Sequence, residues 1–167
     1  MPLGPMANRV IPVELAFEGE GYDTAEAAIA AAKRNPSQPK ARQDAAAFSG
    51  RTFVDAWGDA GQWVLEFSGG LWLRVFVDGT RVAWAVERVE LEKTTVAGPI
   101  VLEWPSGNTS CADPAVLAAD RRGAEFWQFW VNDMGFHVCL RRKLILCFSP
   151  ARRRDTGQII LWVWEDD

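Results

Sequence analysis

Gly50-Arg51-Thr52-Phe53, with Trp57 four residues on, returns as Gly123-Ala124-Glu125-Phe126 with Trp130. After each copy the hydrophobic period changes to two, and each run closes on a similar motif, Trp84-Ala85-Val86-Glu87 and Trp162-Val163-Trp164-Glu165. Upstream, Pro12-Val13-Glu14-Leu15-Ala16-Phe17 resembles Pro99-Ile100-Val101-Leu102-Glu103-Trp104. The recurrence predicts an α+β fold, mainly antiparallel β with an internal duplication: two helix-plus-β-meander repeats, about 9–91 and about 96–167, in a sandwich or barrel-like arrangement. A chain of 167 residues suits a single domain, 1–167, in which the repeats share one core.

Local signals place the elements. Asp23-Thr24-Ala25-Glu26 has the acceptor-to-glutamate spacing that opens a helix, and the alanine-rich run behind it ends at Asn35-Pro36. Ser37-Gln38-Pro39 starts a second helix ending before Gly50, and Asp113-Pro114 a third ending before Gly123. Gly69-Gly70 and Asp78-Gly79 are two-residue hairpin signals between the runs 62–68, 71–77 and 81–87. The matching runs of the second copy are 135–140, 143–149 and 158–165, and Asn108-Thr109-Ser110 reads as a turn after Trp104-Pro105. On that register Val64, Leu71, Leu73, Val75, Val82, Trp84 and Val86 face the core, while Trp63, Leu65, Phe67 and Trp72 fall on the reverse face. In the second copy Leu144, Leu146, Phe148, Ile160, Trp162 and Trp164 are expected on the core side. Ile145, Ile159, Leu161 and Val163 then need cover from the helices or from another chain.

Composition narrows the function classes. Nearly half the residues are apolar and the net charge is −4, as in globular proteins. Nine tryptophans against one tyrosine predict thick aromatic packing, a sticky face, or both. No segment has the length of a bilayer crossing and the N-terminus lacks a basic start with an apolar run, so a cytoplasmic protein with no membrane partner is the expectation. Cys111, Cys139 and Cys147 show no paired spacing.

Few residues suggest chemistry. His137-Val138-Cys139 puts an imidazole and a thiol on one strand face, but an even-length turn at Arg141-Arg142 would send Cys147 to the other, leaving too few ligands for structural zinc. No metal, cofactor or catalytic thiol is expected. Asp55, between Phe53 and Trp57 on the core-facing side, is a candidate acid or base with no second group to complete a site.

The leading expectation is a non-catalytic cytoplasmic protein-binding domain, an immunity- or antitoxin-like inhibitor or an adaptor subunit by analogy, whose partner is another protein chain or a second copy. Its expected anchors are Trp63, Trp72 and Trp127, with Arg152, Arg153 and Arg154 beside them. The alternative is a small-ligand-binding protein or enzyme with a pocket between the repeats lined by Asp55, Trp57, Trp84, Trp130 and Trp162. Nucleic-acid binding through Arg141-Arg142-Lys143 and Arg152-Arg153-Arg154 ranks third, because the whole chain is acidic.

Overall fold

The computed structural model describes residues 9–17, 21–93, 99–141 and 144–166. Within them the chain is α+β, with three helices and eleven strands in mixed and antiparallel sheets that do not close into a barrel. A first meander, β2 (Phe53–Gly58), β3 (Gln62–Phe67), β4 (Leu71–Asp78) and β5 (Arg81–Glu87), forms a four-stranded antiparallel sheet. A second, β8 (Phe126–Asn132), β9 (Gly135–Leu140), β10 (Leu144–Arg153) and β11 (Ile159–Asp166), belongs to a seven-stranded sheet. That sheet is completed by β1 (Arg9–Leu15), β6 (Ile100–Trp104) and β7 (Gly107–Ser110). Asn108–Ser110 is therefore strand, and the turn sits one step earlier at Pro105-Ser106.

The two meanders pack face to face, sandwich-like, through one aromatic core. Trp84 stacks on Phe136 at 4.7 Å between ring centroids, and Trp63 meets Phe148 edge-on at 5.7 Å. The core holds Trp63, Leu65, Phe67, Leu71, Leu73 and Val75 from the first sheet. Phe136, Val138, Leu146, Phe148, Leu161 and Val163 oppose them. Register is the largest departure from the sequence reading. Phe67 pairs with Leu71, so three residues rather than two separate the paired ends, and every side chain of β3 changes face. The cause is non-local: Ser68 donates its N–H to the Thr52 carbonyl at 2.8 Å and accepts from Thr52 N through its hydroxyl at 3.0 Å, which extends the β2 ladder beyond Phe67. Gly69 and Gly70, at φ 80° and 72°, then complete the turn in the left-handed region.

The same parity change operates in the second meander. Leu140 pairs with Leu144 and Phe148 with Val163, so Leu161 and Val163 face inward, while Ile160, Trp162 and Trp164 face outward. Leu161 and Val163 thus belong to the core shared with the first meander, which Leu117 of the third helix also joins. Gly135 must be glycine: at φ 140°, a Cβ there would fall 2.0 Å from the Phe148 carbonyl oxygen.

The helices close the open sides. Thr24 caps α1 (Ala25–Arg34), accepting from Ala27 N at 3.1 Å, and Asp113 caps α3 (Pro114–Arg121), accepting from Ala115 N at 2.9 Å. Phe48, just past α2 (Gln38–Ala47), wedges among Phe67, Phe126 and Phe129. β2 and β8 meet at their first residues through a reciprocal pair, Phe53 N to the Ala124 carbonyl and Phe126 N to the Arg51 carbonyl, and each strand has a bulge directly afterward. β1 lies between β6, its parallel neighbour, and the far end of β10. Pro150 lies between the stretch of β10 that pairs with β9, up to Phe148, and the stretch that pairs with β1, from Ala151, so its missing N–H falls in a gap of that edge while pairing with β11 continues through Leu161.

Candidate functional site

The inward faces of the two meanders form one core, and two open grooves lie on the outer faces. On the first sheet's outer face Trp57, Val64 and Trp72 form a small cluster of their own, and Leu91, from the segment after β5, packs against it. Two residues on, Lys93 pairs with Asp55 at 2.9 Å. The bulge after Phe53 sets Asp55 opposite Glu66, outside the core. Burial would raise the Asp55 pKa, but Lys93 and the Ala56 N–H outweigh it and hold the carboxyl below its ordinary value. Glu66 has no such hydrogen-bonded partner among the described residues: burial, then the charges of Asp55 and Glu90, push it up against the pull of Lys93. A groove of about 480 Å³ remains between this face and the segment, bordered by these carboxylates.

The second sheet's outer face brings together groups that the sequence reading separated. Cys147 pairs across to His137, because the turn after Leu140 is of odd length, so His137, Cys139 and Cys147 share a face. His137 Nε2–H donates to Asn132 Oδ1 at 3.0 Å and its ring stacks on Trp130 at 5.1 Å. Nδ1 is buried without a partner among the described residues. Burial pushes the imidazole down to about 4 and the thiols of Cys139 and Cys147 up to about 11 and about 12. A neutral ring beside protonated thiols is a poor nucleophile set. Among the described residues no group of three or more His, Cys, Asp or Glu could hold a metal.

Farther along the same face an open groove of about 490 Å³ runs beside β11. Trp162 and Trp164 line it from β11, Val116 and Asp113 from the start of α3, Ser110 from the end of β7, and Glu165 stands at its end. Trp104, Trp162 and Trp164 form an aromatic ladder, with centroid separations of 4.8 and 4.3 Å. Trp162 Nε1–H is buried in this ladder with no acceptor among the described residues. Val116 is 54% exposed and both groove indoles are only half-buried. The alternation in Trp162-Val163-Trp164 puts two indoles on one face and was visible in the sequence; the groove's other walls come from β7 and α3 and were not.

The anticipated sites disperse. Trp63 is a core residue at 3% exposure, because of the β3 register, and Trp72 is buried beneath Leu91. Trp127, the residue bypassed at the β8 bulge, is 55% exposed. Trp84 lies in the core, its Nε1–H donating to Asp44 at 2.9 Å, while Trp57 and Trp130 occupy outer faces of different sheets and Trp162 joins Trp104. With Asp55 beside Trp57, these groups line no common pocket between the meanders. Arg152, Arg153 and Arg154 each meet a carboxylate, Glu14, Asp155 and Glu103 respectively, at 3.2, 2.8 and 3.3 Å. Arg141 pairs with Glu125, and Arg142-Lys143 lie outside the described residues. No described helix is long and apolar enough to cross a membrane. Comparison with protein-family models, with curated proteins and with solved structures finds no match for this chain.

Proposed function

We propose that this chain is a non-catalytic domain that works by binding another protein, in the manner of an immunity-like or antitoxin-like inhibitor or an adaptor subunit, a role assigned by analogy. One observation carries it: the groove along β11 leaves two half-buried indoles and an exposed valine open beside two carboxylates. Apolar aromatic surface of this kind is costly to leave in water and is typical of the buried centre of protein interfaces. Trp127 offers a second aromatic anchor on β8. Three free thiols accord with a reducing, cytoplasmic setting.

The proposal includes descent of the two meanders from one duplicated unit. The reciprocal bonds joining Phe53 to Ala124 and Phe126 to Arg51, with a bulge at the same point of β2 and β8, support it. In the superposition these bonds imply, Trp57 matches Trp130, but Trp84 matches Val163 and not Trp162.

Affinity purification from native lysate with the wild-type chain and with Trp164→Ala, read by mass spectrometry, tests the function. A partner recovered stoichiometrically by the wild type and lost with Trp164→Ala is expected. A monodisperse monomer that recovers the same background proteins with either form would overturn it.

A further inference from the structure

Indole and carboxylate meet repeatedly in this molecule, and where the chain covers such a pair itself it uses lysine. At Trp84, Asp44 accepts the indole N–H at 2.9 Å, Lys40 pairs with Asp44 at 2.9 Å, and the Lys40 ammonium lies 4.2 Å from the indole centroid. On the first sheet's outer face, Leu91 covers Trp57 and Trp72 while Lys93 pairs with Asp55. The groove along β11 has the same ingredients, Trp162 and Trp164 with Asp113 and Glu165, yet among the described residues no lysine or arginine lines it. Aromatic faces attract cations and carboxylates pair with them, and a guanidinium does both because it is planar and carries forked donors. Beside the groove, β7 is a terminal strand that among the described residues pairs with β6 alone, so one of its edges presents backbone donors and acceptors to an incoming strand.

We infer that the groove along β11 receives an extended, arginine-bearing segment of a basic partner protein. An arginine side chain lies against Trp162 and Trp164, its guanidinium reaches Glu165 and Asp113, and the flanking backbone adds to the edge of β7. This inference rests on the protein-binding reading and specifies the chemistry of its partner. The acidic balance of the chain, −4, favours the encounter at low ionic strength.

The test uses the full chain and a synthetic capped peptide alternating arginine with threonine, against a matched peptide in which citrulline replaces arginine. Citrulline keeps the shape and removes the charge. Titration followed by calorimetry and by amide chemical shifts is expected to show binding of the arginine peptide, with shifts at β7, the start of α3 and β11. The citrulline peptide is expected to bind at least about tenfold more weakly. Glu165→Gln and Trp164→Ala should each weaken the arginine peptide by about tenfold, as should Asp113→Asn, which retains a helix-capping side chain. Arg81→Ala on β5 should leave affinity unchanged. Equal binding of the two peptides, insensitivity to Glu165→Gln, shifts confined to the Trp57 and Trp72 face, or displacement of the peptide by neither salt nor variants would overturn the inference. A partner lost from lysate with Trp164→Ala but kept with Glu165→Gln would overturn the basic-segment inference while leaving the protein-binding reading standing. Loss of neither partner nor peptide with either variant would overturn both.

Discussion

The outer faces of the two sheets carry similar side chains and different fates. On the first, Trp57 and Trp72 are 3% and 8% exposed because the segment after β5 crosses them, with Leu91 on the indoles and Lys93 on Asp55. On the second, Trp162 and Trp164 stay half-buried along an open groove whose carboxylates meet no lysine or arginine among the described residues. An aromatic pair becomes core when local chain supplies both an apolar lid and a counter-charge. Without them it remains a surface that another molecule can complete.

The sharpest way to break this contrast is substitution of indoles at different depths. Trp63→Ala, which empties a site packed against Phe148, is expected to cost roughly 3–5 kcal/mol in urea unfolding. Trp164→Ala on the open groove should cost about 1 kcal/mol or less. Similar costs at the two positions would mean that the groove is structural.

The buried imidazole beneath Trp130 gives the next largest effect. Its pKa is lowered from 6.5 to about 4, so the unfolded chain binds the proton more readily than the folded one. The contribution is complete above pH 6.5 and is lost as pH falls toward about 4, amounting to about 3 kcal/mol. Stability measured across that window should slope less in His137→Gln than in the wild type. Equal slopes would show that His137 is not held neutral.

Opening the first face should resemble the second on a smaller scale. Leu91→Ser is expected to cost about 1–2 kcal/mol and to shift tryptophan emission to the red as Trp57 and Trp72 meet water. Lys93→Met, which breaks a partly exposed ion pair, should cost only about 0.5 kcal/mol. An unchanged emission spectrum in Leu91→Ser would remove the strap from the explanation. The smallest effect belongs to the arginines at the end of β10: Arg152→Ala should change stability by about 0.5 kcal/mol or less, since its pair with Glu14 is solvent-exposed.

Local chemistry written into contiguous residues was legible without coordinates. The three helices start where Thr24, Ser37 and Asp113 signal them, and two meanders follow Gly50 and Gly123, because caps, glycines and period-two runs act within a few residues. The inward set of β4 and β5, with Leu73, Val75 and Trp84, was also readable. What failed was parity. A turn one residue longer at Ser68 reversed β3, one after Leu140 reversed β9, and the pairing of β10 with β11 reversed β11, while Leu144, Leu146 and Phe148 faced the core as expected. With these went the assignments of Trp63 and Trp162 and the separation of Cys147 from His137. The Ser68 turn is decided by Thr52, sixteen positions away, through bonds that no local pattern encodes. The groove depends further on β7 and α3 arriving beside β11, and the cover of the first face on where Leu91 and Lys93 land. Periodicity along a strand thus determined that this protein would build aromatic sheets, whereas the pairing of distant strands decided which indoles became core and which were left facing water.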